Sequence, residues 1–174
     1  MLQPHLQLLD KLGDCAEAQA FAHTVPDLET AWNTVDRSDW MLWLLRRLKY
    51  DDVKAYRLYA CWCVRNTPLA DGRTVWDLLT DPRSRAAVEL AERYAVGEAT
   101  AEELREARSA AYAVDAGTYA YAADAAADAT YAAADAAAAA SYADAADARM
   151  AARKVQAQQL REMVPFSVVA GLVK

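Results

Sequence analysis

Between Ala107 and Ala152, 26 of 46 residues are alanine, and most of the others are tyrosine or aspartate. Alanine has the highest intrinsic helix propensity because it loses no side-chain entropy on ordering, so this run is expected to be helical with little help from packing. A methyl group fills too little space to build a core. The bulky side chains lie elsewhere: all five tryptophans fall between Trp32 and Trp76. The expectation is an all-α protein, a multi-helix bundle whose front half carries the core and whose C-terminal half is long, helical and alanine-rich.

Length sets a second constraint. From Ala101 onward only Gly117 interrupts the helical pattern before Pro165. An unbroken helix over that stretch would run about 95 Å, against about 40 Å for the diameter of a compact domain of this size. A bend near Gly117 is therefore predicted, with a further one at Thr130 or Ser141. The alternative is a projecting helix that pairs with a second chain, which would make a homodimer through the alanine-rich helices. The 174 residues are expected to form a single domain. Residues 1–97 would be Trp-rich core helices, 98–165 Ala/Tyr/Asp-rich helices, and 166–174 an apolar tail tucked against the body.

Start and stop signals divide the front half. Pro4 and Gly13 bound a first helix, and Asp14 with Glu17 has the spacing of a capping box for a second. Thr24 to Asp27 restarts a third helix, with Leu28, Ala31, Trp32 and Val35 on one side, and Ser38 is placed to cap a fourth. The run Trp40 to Leu45 is apolar on every side, as expected of a helix surrounded by protein. Asp51 or Asp52 opens a fifth helix, with Val53, Tyr56, Ala60, Cys63 and Val64 as its buried side. Asp71-Gly72 is a turn before a short helix at Val75, and Asp81-Pro82 caps another that closes at Gly97. Thr100 and Glu103 form a second capping box.

Several function classes find no support in this composition. No apolar run approaches the roughly 20 residues that cross a bilayer. Residues 1–12 lack a basic stretch followed by an apolar one, so no signal peptide is predicted and the expected location is cytoplasmic. Three cysteines, Cys15, Cys61 and Cys63, are an odd number and read as reduced, buried thiols. Two separated histidines, His5 and His23, make neither a triad nor a zinc site, and five unclustered glycines make no phosphate loop. No enzyme, metal or cofactor is expected. A sequence pI near 4.9 argues against nucleic-acid binding.

The charge has a definite address. Arg108 and Arg149 enclose six aspartates, Asp115, Asp124, Asp128, Asp135, Asp144 and Asp147, and no lysine or arginine. Removing those six from the 25 acidic residues leaves 19, equal to the 19 basic ones, so the net charge of −6 sits on this segment. Tyr121, Tyr131 and Tyr142 open similar blocks of a degenerate repeat. On a helical wheel Asp124, Asp128, Tyr131, Asp135 and Tyr142 share an arc of about 60°, leaving alanine opposite. These five are the candidate partner-binding residues, an acidic face with amphipathic anchors for a basic protein partner. The plain account of the aspartates is that they keep an alanine helix soluble. Their spacing is too dilute to imitate DNA, and carboxylates strung along a helix close no metal cage. A basic cluster at Arg46, Arg47, Lys49, Lys54 and Arg57 is broken by Asp51 and Asp52 and reads as a solvated helix junction. Its alternative use is an anion site at Arg46, Arg47 and Arg57.

Three segments in order, Ser38-Asp39-Trp40-Met41-Leu42-Trp43-Leu44-Leu45, Ala60-Cys61-Trp62-Cys63-Val64-Arg65 and Gly97-Glu98-Ala99-Thr100-Ala101-Glu102-Glu103-Leu104, lead into the Ala/Tyr/Asp repeats. Together they resemble the immunity proteins of bacterial polymorphic-toxin loci, a helical family that also occurs in phages. The resemblance covers most of residues 27–165, with Ser38 standing where that family's pattern has glycine. It implies neutralisation of a toxin by binding, with no catalysis and no cofactor, and it transfers no binding residues. The competing expectations are a phage-type counter-defence protein, which sequesters a signalling nucleotide or blocks a host defence protein, and a structural or oligomerisation module.

Overall fold

Pro4 in the first turn and Gly13 at φ +70° bound α1 (Pro4–Leu12) in the computed structural model, which describes residues 3–13, 16–110 and 145–173. There follow α2 (Ala16–Ala22), α3 (Leu28–Thr34), α4 (Ser38–Arg47), α5 (Val53–Asn66), α6 (Val75–Leu78) and α7 (Pro82–Ala95). The chain continues with α8 (Ala101–Ala110), α9 (Ala145–Met163) and α10 (Phe166–Leu172). Among the described residues there is no strand, only an isolated antiparallel bridge between Pro68 and Thr74. The fold is all-α, a multi-helix arrangement. The bend expected at Gly117 and the capping role expected of Asp14 lie outside the described residues.

Most of the caps are made by the residues that announce them. Asp27 accepts from Thr30 N at 2.7 Å, Asp52 from Ala55 N at 2.8 Å and Asp81 from Arg83 N at 2.8 Å. At α8 the box is reciprocal: Thr100 N donates to Glu103 Oε2 at 2.7 Å and Glu103 N to Thr100 Oγ1 at 3.2 Å. Ser38 departs from expectation. It is the first residue of α4, the N-cap position belongs to Arg37 without a side-chain cap bond, and the Ser38 hydroxyl is spent on α9 instead.

The core is one cluster reaching from Leu9 on α1 to Val169 on α10. At its centre Met41, Leu42, Leu44 and Leu45 of α4 are buried, beside Trp32 of α3 and Tyr56, Tyr59 and Cys63 of α5. Each such aliphatic side chain contributes roughly 1.5–3 kcal/mol of burial. Trp40 and Trp43 are only half-buried, which corrects the expectation of a helix enclosed on all sides. Their rings face guanidinium groups, Arg37 at 4.3 Å from the Trp40 centroid and Arg47 at 5.7 Å from that of Trp43. Val53 is likewise half exposed, because the first turn of α5 stands clear of the core.

The rear elements close the body. α9 packs on α4 and α5, α10 packs on α3, and α8 lies on α7, which lies on α5. The apolar tail is thus a helix seated through Val169, fully enclosed. Along α9 the inward ridge is Ala152, Gln156 and Leu160, continued by Val164 just past the helix end, spaced by four residues and all buried. One member is polar.

Candidate functional site

The five residues of the acidic face, Asp124, Asp128, Tyr131, Asp135 and Tyr142, lie outside the described residues. The flanks of their segment are inside them. α8, whose Leu104 is buried, precedes the segment, and α9, where Asp147 is exposed, follows it.

The alternative cluster is spread over different partners. Arg46 and Arg47 occupy the exposed last turn of α4, where the helix dipole favours cations. Arg47 leans over Trp43, whereas Arg57 on α5 lies 4.6 Å from the ring centroid of Tyr94 on α7. Two of the three arginines thus face aromatic rings on different helices, α4 and α7.

The most developed polar arrangement is the seat of α9. Gln156 is wholly enclosed. Its Oε1 accepts from Ser38 Oγ at 3.1 Å, its Nε2 donates to Thr67 Oγ1 at 3.0 Å, and its backbone carbonyl accepts from Tyr59 Oη at 3.1 Å. Ser38 and Thr67 are themselves fully buried. Beside them the buried Asp39 is held by the Arg37 fork, Nε to Oδ1 at 2.9 Å and Nη2 to Oδ2 at 2.7 Å, with Arg153 Nη1 of α9 at 3.6 Å. The hydrogen bonds to Asp39 raise the Arg37 pKa above the ordinary arginine value against the opposing effect of burial. Farther along, Arg161 donates from Nε to Trp32 O at 2.9 Å and from Nη2 to Val35 O, satisfying carbonyls at the end of α3. Burial lowers the Arg161 pKa, and the Asp36 charge opposes that shift. On the exposed rim Lys154 pairs with Asp36 at 3.2 Å.

A separate open cleft of about 470 Å³ lies among α5, α7 and α9, with Leu58, Trp62, Val96 and Met163 as apolar lining and Arg65 and Glu92 on its wall. Those two charges are bound to each other, Nε to Oε1 at 2.5 Å and Nη2 to Oε2 at 2.8 Å, while Arg65 also stacks 4.1 Å from Trp76. A bidentate pair of that kind leaves little unbalanced charge to recognise a ligand. Among the described residues no group of three metal-ligating side chains converges, and no helix is long and apolar enough to cross a membrane.

Gln156, Ser38 and Thr67 are the residues that sequence reasoning missed. A signal existed for the first: Gln156 interrupts an apolar series at four-residue spacing, Ala152, Leu160, Val164, in which a polar residue must be buried or break the face. Ser38 and Thr67 carry no such mark, since nothing local distinguishes a hydroxyl that caps a helix from one that meets a distant amide. His5 is similar, with Nε2 3.0 Å from the carbonyl of Ala22 on α2. Comparisons with protein-family models, with curated proteins and with solved structures find no match for the chain.

Proposed function

We propose that this protein is a non-catalytic inhibitor of the immunity type, which neutralises a toxin or effector by binding it through the acidic Tyr/Asp face of residues 115–147. The observation that carries the reading is the concentration of the net charge in one stretch of the sequence. The formal charge of −6 resides between Arg108 and Arg149, in a segment whose flanking helices α8 and α9 are both built into a core-bearing body. A net negative charge concentrated in one segment, with the rest of the chain neutral in sum, favours fast association with a basic partner. The resemblance of the tryptophan segments to immunity proteins points the same way.

The test is to sequence the flanking genes and co-express the chain with any toxin-like product found there, followed by binding measurements on the purified pair; flanking genes that encode no toxin count against the reading. The chain is expected to restore growth. The triple variant D124K/D128K/D135K is expected to bind at least about tenfold more weakly at low salt, with the difference shrinking as salt screens the face. Undiminished affinity of that variant at low ionic strength removes the acidic-face reading. Sequestration of a nucleotide, the rival account, requires heat-stabilisation by added nucleotides that disappears in R46Q/R47Q/R57Q. The engagement of Arg47 and Arg57 with aromatic rings gives that account less support.

A further inference from the structure

We infer that the apolar pocket among α1, α2, α3 and α4 is a small-molecule site, which takes a neutral ligand with one hydrogen-bond acceptor and no donor, of the ketone, ether or ester class. The pocket measures about 60 Å³, with Leu9, Phe21, Trp32, Met41, Trp43 and Leu44 in its lining. At roughly 10–15 Å³ for each water-sized body, that is room for about four or five non-hydrogen atoms. Phe21 and Trp43 are only half-buried, so the wall they form is not sealed from solvent.

The chemistry of the occupant follows from one atom. Trp32 is 2% exposed, and its indole Nε1 is buried with no acceptor among the described residues. A buried indole N–H ordinarily has a partner, and one left alone forfeits the hydrogen bond that water gave it. Carbonyls of the residues around the pocket are already engaged. Ala22 O faces His5 Nε2 at 3.0 Å, Ala31 O accepts from Val35 N at 3.0 Å, and Trp32 O and Val35 O both accept from Arg161. Met41 adds a thioether, which is a weak acceptor. These groups therefore present a donor in need of an acceptor and little to receive a proton in return. A water molecule would satisfy Trp32 but leave its own protons unpaired, whereas buried waters ordinarily make about three hydrogen bonds. An alcohol or a primary amide has the same defect. An acceptor oxygen on a hydrocarbon body matches both the donor and the lining. The site is independent of the acidic segment, and neither reading rests on the other.

Nuclear magnetic resonance on the full chain, labelled at nitrogen, reads the pairing directly. The probes are acetone and isobutene, which share a shape and differ in that the alkene carries a methylene group in place of the oxygen. Both are expected to bind saturably, with cross-relaxation from the probe methyls to the methyls of Leu9 and Leu44. Only acetone is expected to move the Trp32 indole proton downfield, because a hydrogen bond formed there deshields it. In W32F the donor is gone, so the ratio of acetone affinity to isobutene affinity should fall roughly tenfold relative to the parent, any change in pocket size being common to both probes. If W32F does not fold, the two titrations of the parent chain decide the matter alone. The assignment is overturned if acetone gives no saturable response, if the indole proton answers both probes alike, or if a water held on Trp32 Nε1 is not displaced by acetone.

Discussion

Lys49 holds the left-handed conformation at φ +58°, the single non-glycine residue with positive φ among the described residues. The reason is the way α4 ends. Lys49 N donates to Arg46 O at 3.1 Å and Tyr50 N to Leu45 O at 2.9 Å, the paired bonds of a Schellman motif. Gly97 does the same work after α7, with Gly97 N on Tyr94 O and Glu98 N on Arg93 O, and pays no Cβ penalty at φ +82°. A lysine in that position stores roughly 1–2 kcal/mol of local strain. Because the Lys49 side chain is exposed, K49G should relieve strain without losing packing. The expected gain is about 1 kcal/mol after the extra chain entropy of glycine, seen as a rise of roughly 3 °C in Tm. An unchanged or lower Tm would refute this account of the turn. The basic cluster around Arg46 and Lys49 is thus in part a helix terminus, where cations and a reversed backbone are both needed for reasons unrelated to an anion.

Single helices here are held at their starts by carboxylates, and this makes their stability depend on acid. Hydrogen bonds from Thr30 lower the Asp27 pKa at α3, and those from Thr100 lower that of Glu103 at α8. At α7 hydrogen bonds from Arg83 bring Asp81 down to about 2. A carboxylate whose folded-state pKa is depressed contributes stability that is fully present above its unfolded value, near ~4, and is lost as pH falls through the folded value. The urea midpoint should therefore hold steady from pH 7 to 5 and decline between pH ~4 and ~2. In D27N/D81N/E103Q the amide oxygens still accept the cap bonds but no longer titrate, so that decline should flatten. A parent-like acid limb in the triple variant would mean that other groups carry it. Caps of this kind are legible in the sequence at Asp81 and Thr100, because a cap is chemistry between residues two or three apart, whereas at α3 the sequence narrows the start only to Thr24–Asp27. Ser38 departs from the cap expected of it for the opposite reason, its partner being 118 positions away.

Across the whole molecule, the N-terminal and C-terminal elements share one core. Leu160 of α9, Val164 just after it and Val169 of α10 belong to the same buried cluster as Trp32, Leu45 and Tyr59. Unfolding should accordingly be a single event. Tryptophan fluorescence, which reports only residues 32–76, and the loss of amide protection in α9 are expected to share one denaturant midpoint. Two separated midpoints would show that the rear helices form a unit of their own.

Composition and periodicity by themselves determined that the chain is largely helical, that its bulk sits in the front half, and that its net charge sits in the rear. Those properties follow from propensity, side-chain volume and counting, all of which are local. The tertiary structure alone decided that α9 carries a buried glutamine, that Ser38 and Thr67 serve it, and that the tail is a helix seated on α3. Each of these is a match between groups far apart in sequence, and a buried polar atom shows its purpose only when the residue that satisfies it has been brought beside it.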